Sequence, residues 1–133
     1  SEMCIRDSEE PPQLSEGGFT LTNQSRDSCE VTTTPVFELV GHGKVLTTTG
    51  PSNKVVNDVF QEGETQGANL NWQNWCGADP RPLALRVILP NRGGMLSTPY
   101  GDASTMLPSC TDSAVPASFL AHGSGGPGTL FGG

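Results

Sequence analysis

Leu70-Asn-Trp-Gln-Asn-Trp-Cys76 and Pro82-Leu-Ala-Leu-Arg-Val-Ile-Leu-Pro90 decide the fold. The second run puts Leu83, Leu85, Val87 and Leu89 on one face and Ala84, Arg86 and Ile88 on the other. That period of two is the pattern of a half-buried β-strand. Upstream, Ala68, Leu70 and Trp72 share the even side of a strand predicted over Glu64 to Trp72. Trp72 is expected to be the large core anchor, with an indole N–H that needs a partner. Trp75 is expected to pack on neighbouring sulfurs or to lie exposed. Cys76 ends this strand and Cys110 lies in Pro108-Ser-Cys110. A structural disulfide between Cys76 and Cys110 would tie the long loop at 101–113 to the core, which the loop's few apolar residues could not do.

Towards the N-terminus, Phe19-Thr-Leu-Thr-Asn23 alternates apolar and polar residues, and 24–28 is rich in turn formers. Cys29 to Val40 is a longer extended run whose odd positions can share one face, with Pro35 marking an edge or a bend. Gly41-His42-Gly43 is predicted to be a hairpin turn using positive-φ residues. Lys44 to Thr49 and Val55 to Phe60 follow as strands, separated by Gly50-Pro51, and Gln61-Glu62-Gly63 is a turn. Towards the C-terminus, Asn91 to Gly94 turns into a strand over Met95 to Thr98, and Val115 to Ala121 is the last strand. About eight short strands at spacings near ten residues, with no helix, predict an all-β antiparallel β-sandwich of seven to nine strands. The expected organisation is a non-native or disordered leader and linker over 1–16, the sandwich over 17–122, and a disordered Gly-rich tail over 123–133.

Composition agrees with this class. The chain has 133 residues, enough for one domain, with 34% hydrophobic and 16% charged residues, 17 Gly and 11 Pro. A net charge of −7 disfavours nucleic acid and anionic membranes, which need a basic patch. No apolar run reaches the 18 or so residues of a transmembrane helix.

Residues 1–8 translate without mismatch from TCG GAG ATG TGT ATA AGA GAC and AG plus one base. That DNA resembles a transposase sequencing adapter, so Ser1–Ser8 are expected to be adapter-derived and the chain a metagenomic gene fragment. Any export signal or lipoprotein anchor would then have been lost upstream. Setting aside Glu2, Arg6 and Asp7 leaves a net charge of −6, still acidic. Setting aside Cys4 leaves three coded cysteines, with a partner for Cys29 expected in the lost part. Disulfides would place the protein outside the cytoplasm; a cytosolic protein with three buried thiols is the alternative reading.

Catalytic and metal chemistry finds no constellation in the sequence. His42 and His122 are isolated in Gly-rich segments, without the paired spacing of zinc or copper sites. Ser104 and Ser109 lie outside any nucleophile elbow. Glu62 with Glu64, or Asp102 with Asp112, are expected to be solvated loop acids. Asn91-Arg-Gly-Gly lacks the following helix of a phosphate cradle. Catalytic, metal and cofactor assignments are therefore none. Trp75 and Tyr100 are the single binding hint, a small carbohydrate- or protein-contacting surface.

These motifs together resemble the bacterial, mainly actinobacterial, family called domain of unknown function 4232. The resemblance rests on Phe19-Thr-Leu-Thr-Asn23, Cys29-x-Val31, Pro35-Val-Phe-Glu-Leu39, Trp72-x-x-Trp-Cys76, Pro82-Leu-x-Leu-x-Val-x-Leu-Pro90, Pro108-x-Cys110 and Pro116-Ala-Ser118. It covers roughly Gly17 to Ala121 and implies an exported immunoglobulin-like domain, in proteins that include lipoproteins, with no site to carry over. The family's first strand and cysteine have no counterpart at the front of the chain, which leaves the pairing of Cys29 open. Two functional readings follow. The first is a non-enzymatic extracytoplasmic module that binds a protein or envelope polymer or acts as a spacer. The second is an accessory domain of a secreted hydrolase, with carbohydrate binding as one option, whose catalytic part is missing from this fragment.

Overall fold

The computed structural model describes residues 14–15, 18–50, 55–89, 94–100, 106–123 and Phe131. Among them the chain is all-β, with no helix. Its strands are β1 (Leu14–Ser15), β2 (Gly18–Thr22), β3 (Cys29–Thr33), β4 (Val36–Gly41), β5 (Lys44–Thr48), β6 (Val55–Phe60), β7 (Thr65–Gln73), β8 (Leu83–Leu89), β9 (Gly94–Pro99) and β10 (Ser118–Gly123). All pairings are antiparallel. One four-stranded sheet has the order β1-β2-β7-β10, the other β5-β4-β8-β9, and β3 pairs with β6.

The period-two pattern of β8 becomes an alternation of buried and half-buried residues, with Leu83, Leu85, Val87 and Leu89 inward. Across from it, β2 buries Phe19 and Leu21, β7 buries Ala68 and Leu70, and β10 buries Phe119. Phe19 of one sheet meets Phe37 of the other edge to face, with ring centroids 5.3 Å apart. This is the favoured geometry for an aromatic pair. Cys29, Val31 and Phe60 of the β3–β6 pair join the same core. The architecture is an antiparallel β-sandwich.

Pro35 marks the change of partner. The run from Cys29 to Val40 is two strands, β3 pairing with β6 and β4 with β5 and β8. A residue without an N–H cannot donate to either ladder, and the chain crosses between them there. The shared face survives the break, because Cys29, Val31, Pro35, Phe37, Leu39 and Gly41 are all buried. His42 (φ 51°) and Gly43 (φ 74°) make the two-residue turn between β4 and β5. Gly41 has a different constraint: a Cβ there would lie 2.6 Å from the carbonyl oxygen of Pro80.

Four expectations change. The core anchors are phenylalanines, since Phe19, Phe37 and Phe60 are fully buried whereas Trp72 is half-buried and packs against the core from its rim. The Trp72 indole Nε1 is buried and has no hydrogen-bond partner among the described residues. Leu14–Ser15, within the expected leader and linker over 1–16, pair with Phe19 and Gly18 of β2. The tail expectation over 123–133 fails at two residues: Gly123 ends β10, and Phe131 is buried against Phe19 and Phe37. Finally, the last strand starts at Ser118 and not at Val115, because backbone groups of 115 and 117 bond elsewhere. The Val115 N–H donates to Asp112 O, and the carbonyls of Val115 and Ala117 accept from Asn74 and Thr47.

Cys29 is disulfide-bonded, and no cysteine among the described residues is free. The count of coded cysteines turns on Cys4, which lies outside the described residues. The adapter reading itself concerns Ser1–Ser8, which lie outside the described residues.

Candidate functional site

Strand register gathers three segments at one end of the sandwich. Gly41 pairs with Leu83, Ala84 with Pro99, and Ser118 with Gln73. The 42–43 turn, the segment 74–82 and the segment leading into β10 therefore project from the same end. His42 Nε2 lies 3.3 Å from the carbonyl oxygen of Asp79, which joins the first two.

Asn74 joins the second and third. It follows the last residue of β7 and adopts φ 65°, a conformation in which Asn is among the few tolerated residues. Its side-chain amide donates to the carbonyls of Asp112 (3.0 Å) and Val115 (2.9 Å). Its side-chain oxygen accepts from the Thr111 N–H (2.8 Å), the Thr111 hydroxyl (3.0 Å) and the Asp112 N–H (3.0 Å). Two residues on, Cys76 is bonded to Cys110 with a Cα–Cα distance of 4.7 Å, inside the usual disulfide range. A side-chain hub and a covalent bond thus hold the same loop to the end of β7.

Trp75 lies between these two anchors, half-buried. Its indole N–H donates to Ala78 O (2.9 Å), and its ring meets Trp72 with centroids 5.8 Å apart. The ring also covers Gly77, where an added Cβ would come within 2.8 Å of it. Trp75 is engaged on its own loop and does not stand out as a flat platform. Tyr100 is likewise half-buried, packs against the core and donates its backbone N–H to Leu83 O. Burial pushes its phenol pKa up.

An open groove of about 500 Å³ runs beside the hub, walled by Gln73, Asn74, Ser109, Thr111, Asp112 and Ser118, with Pro108, Val115 and Pro116 as its apolar part. Asp112 is its one ionisable lining residue, and its Oδ1 accepts from the Ala114 N–H (2.9 Å). The arrangement offers hydroxyl, amide and apolar contacts.

The charged groups nearby form a separate pair. The Arg81 guanidinium donates to both carboxylate oxygens of Asp79, at 2.9 and 2.7 Å. That bond, reinforced by the Arg81 backbone N–H, lowers the Asp79 pKa from 3.8 to about 2.

The other residues weighed in the sequence lie apart. Ser104, Asp102 and 91–93 fall outside the described residues, and His122 is exposed on β10. Glu64 caps the β6–β7 turn, accepting from the Gln61 N–H and from Gln66 Nε2. Among the described residues no three His, Cys, Asp or Glu side chains converge as a metal site would require.

Sequence reasoning missed both polar hubs, Asn74 and its counterpart Asn23. Asn23 is fully buried at the opposite end of β7, where its backbone N–H continues the ladder to Glu64 O. Its amide donates to Asp27 O and Phe60 O, each at 2.9 Å, and its oxygen accepts from the N–H and hydroxyl of Ser25. The available signal was an Asn at the end of an alternating strand, where such side chains bond local backbone. No known protein family, curated protein or solved structure matches the chain.

Proposed function

We infer that the protein is an extracytoplasmic, non-enzymatic module of immunoglobulin-like type that binds a protein or cell-envelope polymer through the loop end of the sandwich. The observation supporting this reading is the doubly anchored loop, held by Asn74 and by the Cys76–Cys110 bond beside an open groove. A loop fixed in this way presents Ser109, Val115, Pro116 and Ser118 without ordering cost on association. Its mixture of hydroxyl, amide and apolar groups suits adhesion by hydrogen bonding and shape. A bond-breaking step would call for a paired nucleophile and base.

Disulfides accord with an oxidising, exported setting. No described helix is long and apolar enough to cross a membrane. The resemblance to domain of unknown function 4232 adds the expectation of an actinobacterial exported protein or lipoprotein. An acidic chain is also a poor partner for nucleic acid.

The test is co-sedimentation with insoluble peptidoglycan, with chitin as the comparison polysaccharide, together with cross-linking on isolated cell envelopes. Val115→Arg with Ser118→Arg should weaken the association about tenfold, the size expected for losing roughly 1.4 kcal/mol of contact. Absence of sedimentation and of any envelope cross-link, or equal binding by the double variant, would overturn the reading. Binding to chitin in preference would instead favour a carbohydrate-binding accessory domain.

A further inference from the structure

The cysteines occupy opposite environments. Cys29 is 3% exposed in the core and disulfide-bonded. Cys76 and Cys110 are bonded to each other and both lie exposed at the loop end. Thiol–disulfide exchange requires a thiolate to reach a sulfur, so the exposed Cys76 and Cys110 are open to attack where the buried Cys29 is not.

The segment that the exposed bond fastens also adds little to the core. Between 106 and 117, Leu107 packs against the core from a half-buried position, and no residue is fully buried. Among the described residues, the segment's other side-chain ties to the rest of the domain are the Asn74 hub and the 3.3 Å bond from the Thr47 hydroxyl to Ala117 O. Opening the Cys76–Cys110 bond therefore removes the covalent hold on a surface element and leaves both sheets intact.

We propose that Cys76–Cys110 is a redox-controlled strap, opened by a dithiol reductant without unfolding the sandwich, and that opening it releases the 106–117 segment and dismantles the Asn74-centred groove. This goes beyond the binding reading and holds whatever the groove binds. In the first step a thiolate of the dithiol attacks one of the two sulfurs. The Cys76–Cys110 bond breaks, a mixed disulfide forms, and the other cysteine leaves as a thiolate that takes up a proton. The reductant's second thiol then attacks the mixed disulfide, closes the reductant's own disulfide and frees the remaining cysteine. Two electrons pass to the cysteine pair, and two protons end on Cys76 and Cys110. A protein reductant of this class would carry two vicinal cysteine thiols.

The test titrates the full chain with dithiothreitol under native conditions, alkylates with iodoacetamide and maps the labelled cysteines by mass spectrometry. Cys76 and Cys110 should be labelled at dithiol concentrations at least about tenfold below those that label Cys29, following access. The far-UV strand signal should persist while tryptophan emission shifts, because Trp75 adjoins Cys76. C76S/C110S should show the same strand signal and the shifted emission with no reductant present. Labelling of Cys29 in step with the other two, loss of the strand signal as the strap opens, unchanged emission, or a C76S/C110S chain that does not fold would each overturn the proposal. So would failure to label Cys76 and Cys110 without denaturant.

Discussion

The side-chain oxygen of Asn74 lies 2.8 Å from the amide nitrogen of Thr111, 37 residues further along the chain. That contact, with the four others the side chain makes to Thr111, Asp112 and Val115, turns one residue at the end of β7 into the organiser of the loop end. Its backbone conformation matters as much as its amide, since φ 65° strains most side chains.

Substitution separates the two contributions. Asn74→Gly keeps the backbone free to adopt positive φ and loses the bonds, and should cost about 1–2 kcal/mol because the site is partly exposed and water can replace part of the loss. Asn74→Ala adds backbone strain of about 1 kcal/mol. Urea midpoints of the two variants should therefore differ, with Ala the lower. Equal midpoints would remove the conformational part of the argument.

Phe131 lies 5.5 Å from Phe37 and 6.1 Å from Phe19, ring centroid to centroid, and is buried. Phe131→Ala should destabilise the domain by about 3 kcal/mol, the lower end for a core Phe→Ala change because a cavity near a chain end can partly close. A chain ending at residue 123 should lose about as much. Thermal unfolding of both checks this, and a truncated chain as stable as the full one would show that Phe131 contributes nothing.

Legibility in the sequence followed the strength of the local pattern. β8 could be read residue by residue, because its largest apolar side chains recur at every second position from Leu83 to Leu89 and prolines bracket the run. Pro35 was also informative, as the missing N–H forces the break that separates β3 from β4. The disulfide was legible from the need to fix a polar loop. Phe131 was not, because it sits in a Gly-rich segment with no period to read and its contacts with Phe19 and Phe37 are non-local. Trp72 misled by size: a large aromatic predicts burial in general, yet at the rim of the sandwich its place in the centre goes to phenylalanines. The Asn74 hub joins residues distant in sequence, and only the tertiary fold brings its partners within reach.

Asp79 provides a local pH signature. Its carboxyl titrates at about 2, lowered by the Arg81 guanidinium and then by the Arg81 N–H. A carboxyl with a depressed folded-state pKa lends stability that is present above its unfolded value near 3.8 and is lost as pH falls through about 2. The pair is exposed, so global stability should respond little. Side-chain carboxyl NMR is the direct readout: Arg81→Gln should return the Asp79 midpoint towards 3.8, and an unmoved midpoint would contradict the assigned cause.

Removing the Cys76–Cys110 bond should lower stability without abolishing the fold. For a separation of 34 residues the chain-entropy model gives about 3.8 kcal/mol. Against a typical net stability of about 5–15 kcal/mol this leaves a folded domain. C76S/C110S should melt about 10–15 °C below the parent, from the melting entropy of a domain this size. A shift under about 3 °C would mean that the reduced chain already keeps the loop in place.

Asn23 is the buried counterpart of Asn74, and the pair tests what burial adds to the same chemistry. β7 spans nine residues between them, roughly 30 Å at the rise of an extended strand. Asn74 can exchange its partners for water, but Asn23 is fully buried, and its bond to Phe60 O lies wholly inside the protein. Asn23→Ala would strand the Phe60 carbonyl and the Ser25 N–H with no solvent to satisfy them, at about 1–3 kcal/mol for each buried group. The expected loss is therefore about 3 kcal/mol or more, larger than for Asn74→Gly. Asn23→Asp should fare no better at neutral pH, because it sets a carboxylate against the carbonyls of Asp27 and Phe60 where the amide donated. Urea unfolding of the three variants under one set of conditions gives the comparison, and an Asn23→Ala chain within about 1 kcal/mol of the parent would show that the turns at that end hold without their hub.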